Sequence, residues 1–321
     1  MASETEVTSP VTGRTVVVAL GGNAIARFDD DGTIVSQYRR ASEAMSHVAD
    51  LIGSGVRLAL THGNGPVVGN IMLRGEAARG TVPPTPLFIA DADSEGGIGL
   101  MLQQTLGNEL RARGLAPTVA TIVTQTVVDA EDPAFSAPTK PIGPYYDAAR
   151  ALELASETGW SFAEEPGRGW RRVVASPRPM RIVESEAVCA LLDAGVIPIA
   201  AGGGGVPVTE AGGVLTGIDA VVDKDWSAAV LARDVGAASL VILMEADAVY
   251  DAYAAPNERR IERIGADEAA GLASTLPPGS VGPKLAACAW FAARGGTAVI
   301  CRAEDITEAL AGRAGTTVLP G

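Results

Sequence analysis

Lys224 and Lys284 each fall where a helix is predicted to begin. At that position the macrodipole disfavours a cation by about 0.3–1 kcal/mol. Asp223-Lys224-Asp225 opens the first of these helices, and Pro283 fixes the first turn of the second. Either lysine alone reads equally well as a tolerated surface residue; two in one glycine-rich chain point to a bound polyanion that offsets their charge. Asp223 reads as a helix N-cap or, equally, as a carboxylate between two lysines that keeps both ammonium groups aimed at a transferring phosphoryl group. At about 4 Å and an effective dielectric near 20, each such charge contact is worth on the order of 4 kcal/mol. That matters for phosphoryl transfer, where catalysis is mostly positioning and electrostatics. Four further residues have plainer readings. Lys140, in Pro138-Thr139-Lys140-Pro141-Ile142-Gly143-Pro144, reads from composition as a solvated lysine in a stiff loop. His62 reads as bonding locally beside its turn. Tyr250 and Val281 suit the walls of an adenine slot or the core equally.

These residues need a scaffold, and the chain supplies a recurrent one. Residues 16–20, Val-Val-Val-Ala-Leu, form an uncharged, β-branched run predicted to be a strand buried on both faces. Gly21-Gly22-Asn23 ends it in a turn where bare N–H groups can approach an anion closely. A helix with apolar residues at 41, 44, 45, 48 and 52 follows, then a strand over 56–60 running into Thr61-His62-Gly63-Asn64-Gly65-Pro66. A helix marked by Ile98, Leu102, Leu106 and Leu110, a strand over 119–123, and a helix near Val188 precede a strand over 196–201, which ends in Gly202-Gly203-Gly204-Gly205. Beyond residue 212 the same rhythm predicts strands over 219–222, 239–243 and 297–301, with helices from Lys224 and Lys284. This is the pattern of an α/β fold with an open, mainly parallel central sheet and helices on both faces, a three-layer α/β/α arrangement. In such sheets ligands bind beyond the carboxyl ends of the strands, where all three glycine turns fall.

Residues 125–179 break the rhythm with seven prolines and the pair Arg171-Arg172, and are expected to be a small inserted, protruding lobe without a regular layer. The expected organisation is a tail over 1–13, an N-terminal lobe over 14–211 carrying that insertion, and a C-terminal lobe over 212–321.

Composition narrows the function. The 321 residues carry a net charge of −13, which argues against general nucleic-acid or anionic-membrane binding. An anion site must therefore be a local island of lysine and backbone N–H. Cys189, Cys288 and Cys301 are widely spaced in apolar contexts and read as reduced thiols; with His47 and His62 they form no metal-ligand pattern. No apolar stretch is long enough to span a bilayer and the N-terminus does not look like a signal peptide, so a cytoplasmic location is expected. The motifs of P-loop proteins and protein kinases are absent, as is a dinucleotide-binding G-x-G-x-x-G after the first strand.

The blocks ALGGNAI (19–25), THGNGPVVG (61–69), DPAF (132–135), PTKPIGPYY (138–146), GWRRVVASP (169–177), AAGGGGVPV (200–208), VVDKD (221–225), DAVY (247–250) and PGSVGPK (278–284) resemble, in order, the amino acid kinase superfamily. Within it they are similar to the carbamate-kinase branch, to which the inserted lobe is peculiar. The resemblance implies reversible phosphoryl transfer between ATP and carbamate, giving ADP and carbamoyl phosphate and often run toward ATP synthesis in arginine metabolism. It implies a homodimer contacting through the N-terminal lobe, and Mg²⁺ bound mainly through nucleotide phosphates, with no metal site of the protein's own. By position, Gly21, Gly22, Asn23, Gly63, Asn64, Gly65, Gly203 and Gly204 would hold the acceptor or transferring phosphoryl group. Lys140, Lys224 and Lys284 would act on phosphates, with Asp223 organising the lysines. Met244, Glu245, Asp247, Tyr250, Val281 and Gly282 would line the nucleotide. The chain departs from the branch at Met244-Glu245, where Thr-Asp is common, at Val67, where Gln is common, and over 94–100, which lacks aromatic residues. Those departures leave room for a related kinase acting on another small carboxylate, phosphonate or phosphate. A non-catalytic nucleotide or phosphate sensor is disfavoured by the joint retention of Lys140, Asp223, Lys224 and Lys284. The residue before Gly21 is Leu20, where many superfamily members carry a lysine, so the first turn offers N–H groups without a charge and Lys140 is the candidate to supply the missing cation.

Overall fold

Thr15–Leu20 runs down the middle of an eight-stranded sheet, with Arg57–His62 on one side and Ser239–Leu243 on the other, both parallel to it. The computed structural model describes residues 13–22, 25, 31–251, 258–276 and 281–321. Alternate residues of the central strand serve two cores, as the two-residue period requires. Val17 and Ala19 pack with Ala228, Leu231, Leu285 and Phe291, from helices Lys224–Asp234 and Gly282–Ala292. Val16, Val18 and Leu20 pack with Met45, Val48, Leu102 and Leu106, from helices Ile34–Gly53 and Leu87–Ala112. Helices thus cover both faces, and the three-layer α/β expectation holds.

The full order of the sheet is Arg263–Gly265, Thr316–Leu319, Thr297–Cys301, Ser239–Leu243, Thr15–Leu20, Arg57–His62, Ile197–Ile199 and Val119–Thr121. Every pairing is parallel except that of Thr297–Cys301 with Thr316–Leu319. The strands expected at 16–20, 56–60, 119–123, 196–201, 239–243 and 297–301 are all present. The one expected over 219–222 is not: Ala220, Val221 and Val222 form a buried loop, and Val221 N donates to Ala175 O at 2.9 Å. An apolar run bounded by polar residues reports burial, and here burial comes without a ladder.

A second sheet, not expected, orders Val214–Gly217, Val206–Ala211, Gln125–Val128 and Pro179–Ile182. Its hairpin turns at Gly212-Gly213, both at positive φ, which is the signal a two-residue hairpin loop leaves in a sequence. The proline-rich segment is also more regular than expected. Lys140–Tyr146, Gly169–Val174 and Ser161–Glu165 form a three-stranded antiparallel sheet, with helix Ala148–Thr158 between its first and last strands in sequence. Pro141 and Pro144 are accommodated because their strand lies at the edge of that sheet, where one side makes no ladder. This lobe rests on helix Gly65–Ala77 at a point where two backbones touch: a Cβ on Gly69 would lie 2.0 Å from Gly143 Cα.

Cys288 and Cys301 are buried free thiols, and Cys189 is a half-buried one. Among the described residues no helix is long and apolar enough to cross a membrane.

Candidate active site

Three parallel strands deliver their carboxyl ends to one edge of the sheet, and each ends in glycine: Gly21-Gly22 after Thr15–Leu20, Gly63-Asn64-Gly65 after Arg57–His62, and Gly202-Gly203-Gly204 after Ile197–Ile199. The turns pack tightly. A Cβ on Gly63 would meet Lys224 Cδ at 3.1 Å, and one on Gly203, at φ +68°, would lie 2.2 Å from Asn64 Nδ2. Gly204 is buried below this surface, where its carbonyl accepts from Thr126 Oγ1 and Ser227 Oγ, both at 2.7 Å.

Lys224 and Lys284 converge on this edge from the starts of their helices, as expected. The carboxylate that joins them is Asp225. Its Oδ1 meets Lys224 Nζ at 2.5 Å and its Oδ2 meets Lys284 Nζ at 2.9 Å, and its side chain is only 4% exposed. Asp223, expected to organise that pair, makes its direct contacts elsewhere. Its Oδ1 caps the Lys224–Asp234 helix by accepting from Asp225 N, and its Oδ2 accepts from Lys140 Nζ at 2.6 Å. Asp225, inside the first turn, is 3% exposed, while Asp223 at the cap faces Lys140. Lys140, a solvated loop lysine by composition but expected from the resemblance to reach over from the lobe, begins the edge strand of the lobe and meets Asp223.

The electrostatics follow from this packing. Burial alone would raise the Asp225 carboxyl, but Lys224 and Lys284 hold it below the ordinary range. Asp223 is held well below it for the same reason, chiefly by Lys140. Burial lowers Lys224, and the nearby Lys284 charge adds to that effect. For Lys284 the two aspartates outweigh burial and raise it. An acidic chain thus presents a small cluster of three cations, each already oriented by a carboxylate.

Beneath the turns lies a buried polar layer. Glu95 Oε1 accepts from Thr124 Oγ1 and from Gly202 N, and its Oε2 accepts from Thr124 N. Burial pushes the Glu95 carboxyl up to about 8, these hydrogen bonds notwithstanding. His62 is fully buried, its Nδ1 is 3.2 Å from Gly63 O, and burial lowers it to about 4. It is a neutral local partner of its turn.

Two cavities open along the edge. One, of about 630 Å³, is bounded by Gly21, Arg40, His47, Met244, Glu245 and Arg302. The other, of about 760 Å³, is bounded by Asn64, Lys140, Arg178, Gly203 and Trp226. Gly22, Lys224 and Lys284 line both, so the cavities meet at the lysine pair. Of the residues expected around a nucleotide, Met244 and Glu245 reach the first cavity. Asp247 and Tyr250 bond each other at 2.9 Å, Asp247 also pairs with Arg260 at 3.3 Å, and neither is in the lining of these two cavities. Val281 and Gly282 form the start of the Lys284 helix, outside the lining of both cavities. Asn23 lies outside the described residues. Arg178, stacked on the Trp226 ring, is a cavity residue that no motif announced.

Residues 14–303 match the model of the amino acid kinase family. The chain belongs to that family. It is 43% identical over 310 residues to a carbamate kinase from Pyrococcus horikoshii, covering 95% of this chain and 99% of that one. A carbamate kinase-like protein from Escherichia coli is 41% identical over 312 residues, covering 95% and 98%. The solved structure of a carbamate kinase from Giardia lamblia bound to AMP-PNP superposes with a TM-score of 0.88 at 38% identity, covering 96% of this chain and 98% of that one. This amino acid kinase chain is thus similar over nearly its whole length to carbamate kinases.

Proposed function

We propose that the chain catalyses reversible phosphoryl transfer between ATP and carbamate, giving ADP and carbamoyl phosphate. The observation that carries this reading is the junction of two cavities at Gly22, Lys224 and Lys284. The larger cavity receives carbamate or carbamoyl phosphate beside the glycine turns, and the other receives the nucleotide. A carbamate oxygen attacks the γ-phosphorus in line, the bond to the β-γ bridging oxygen breaks, and ADP leaves with no covalent enzyme intermediate. Lys224 and Lys284 stabilise charge on the transferring group and its leaving oxygen, while Asp225 keeps the two ammonium groups apart and aimed. Leu20 leaves the first turn without a cation, and Lys140, carried in by the lobe, provides it.

Among the described residues no cluster of three or more His, Cys, Asp or Glu could hold a metal ion. Mg²⁺ held mainly through nucleotide phosphates, where it would neutralise charge on the leaving diphosphate, is part of this proposal. A homodimer joined through the N-terminal lobe, and a cytoplasmic location, belong to the same proposal.

The test is ATP formation from ADP and carbamoyl phosphate in a coupled assay. Robust synthesis supports the proposal. No synthesis from this substrate, by protein that still binds ADP, sinks it.

A further inference from the structure

Asn64 is 3% exposed and lines the acceptor cavity beside Gly63 and Gly203. Its Nδ2 donates to Asp91 Oδ1 at 3.0 Å and to Ser94 Oγ at 2.9 Å. The orientation of a side-chain amide follows from its partners, and here they determine it. The single hydroxyl proton of Ser94 goes to the Asp91 main-chain oxygen at 2.8 Å, so Ser94 Oγ can only accept from Asn64. Burial, together with Glu95 and Asp219, favours a proton on the Asp91 carboxyl. Oδ2, which has no partner among the described residues, is the oxygen free to carry it, and Oδ1 remains an acceptor in either state.

Both hydrogens of the Asn64 amide are therefore used, and its remaining group is the carbonyl oxygen. Oδ1 makes no bond to a described residue and is not among the polar atoms sealed in the interior, so it opens on the cavity. Gly203 lies directly against the amide: a Cβ there would approach Nδ2 to 2.2 Å and Cγ to 2.4 Å. The selector is backed by buried acceptors on one side and by bare backbone on the other.

We infer that Asp91 and Ser94 are positioning residues that turn the Asn64 carbonyl oxygen toward the acceptor, so that Asn64 selects an acceptor bearing an N–H group. This rests on the carbamate reading given above. The carbamate amino group donates to Oδ1. An acid of the same shape with a methyl in that place leaves Oδ1 desolvated and unpaired, which costs on the order of 10-fold to 100-fold in kcat/KM. Acetyl phosphate is that analogue of carbamoyl phosphate.

The experiment measures kcat/KM for ATP formation from ADP with carbamoyl phosphate and with acetyl phosphate. It compares wild type, Ser94→Ala, the double variant Asp91→Ala/Ser94→Ala, and Asp91→Asn, with folding checked by circular dichroism. Wild type should prefer carbamoyl phosphate on the order of 10-fold to 100-fold. The double variant, whose Asn64 amide is free to turn, should move toward parity with the KM for ADP unchanged. Asp91→Asn retains a carbonyl acceptor and should retain most of the preference. A folded double variant that keeps the wild-type ratio, both rates falling together, overturns the inference and leaves the carbamate reading intact. So does wild type that uses both donors equally well. Should the double variant not fold, the wild-type ratio and Ser94→Ala decide by the same criterion. Wild type that makes no ATP from carbamoyl phosphate overturns the function and this inference with it.

Discussion

Lys140 Nζ and Asp223 Oδ2 meet at 2.6 Å across 83 residues of sequence, so the inserted lobe is fastened to the cap of the helix that carries Lys224. The same carboxylate orients a cation arriving from the lobe and satisfies the backbone of a helix in the opposite half of the chain. The seat of the lobe and the first turn of the Lys224 helix are therefore linked through one side chain. Lys140→Ala leaves the mostly buried Asp223 carboxylate with Lys224 and Lys284 as its remaining counter-charges, and should lower stability by about 1–3 kcal/mol. Removal of a cation from the transferring group should cost about 100-fold to 1,000-fold in kcat. Denaturant unfolding beside steady-state kinetics checks both; a fall in stability without loss of turnover would place Lys140 outside the chemistry.

Asp225 is a different case, because the carboxylate itself is only 4% exposed and bridges two lysines. Asp225→Asn leaves Lys224 and Lys284 facing each other without a counter-charge, and should destabilise the free protein by about 3–5 kcal/mol. Nucleotide phosphates supply the missing negative charge. Saturating ATP should accordingly raise the melting temperature of the variant by more than that of wild type, as thermal denaturation with and without ATP would show.

Much of this arrangement is visible in the residues themselves, and the part that is not has a physical reason. The strands over 16–20 and 239–243 are uncharged β-branched runs, because they are buried on both faces. The glycine turns are legible because each permits a backbone approach that a Cβ would block, as at Gly203. Residues 219–222 mislead, since an apolar run records burial and not the ladder that would make it a strand. Asp223 and Asp225 were indistinguishable by type and spacing. Which one faces Lys140 and which one faces Lys284, 59 residues away, is decided by the tertiary fold. The same holds for Arg178 on Trp226 and for the Asp91–Asn64 bond, whose partners share no local pattern.

The buried acid and imidazole under the turns predict a stability profile with two opposed limbs. Glu95, raised to about 8 from an ordinary value of 4.5, contributes stability that is complete below about pH 4.5 and lost as pH rises through 8. His62, lowered to about 4 from 6.5, contributes stability that is complete above about pH 6.5 and lost as pH falls through 4. Their sum should be flat between about pH 4.5 and 6.5, where the two slopes cancel, and fall on either side. Glu95→Gln has no proton to lose, so the decline between about pH 6.5 and 8 should flatten in melting curves while the acid limb, owed to His62, extends up to about pH 6.5. An alkaline limb identical to that of wild type would show that Glu95 is ionised at neutral pH.

The lobe itself is seated by an absence of side chains. Gly69 in helix Gly65–Ala77 meets Gly143, at φ +71°, so closely that a Cβ at 69 would lie 2.0 Å from Gly143 Cα and 2.2 Å from Gly143 N. Both neighbours are main-chain atoms and cannot swing aside, so Gly69→Ala must push the Lys140–Tyr146 strand away from the helix. Alanine is otherwise the better helix residue by about 1 kcal/mol, which offsets part of the strain and keeps the variant folded. Lys140 is the first residue of the displaced strand, and its reach to Asp223 should lengthen. Gly69→Ala should therefore lower kcat and raise the KM for carbamoyl phosphate, with the KM for ADP near wild type, since the nucleotide cavity shares no residue with the lobe. If Gly69→Ala and Lys140→Ala act through one geometry, the double variant should lose much less activity than the product of the two single losses. Fully multiplicative losses in that cycle would show that the lobe's seat and its lysine contribute separately.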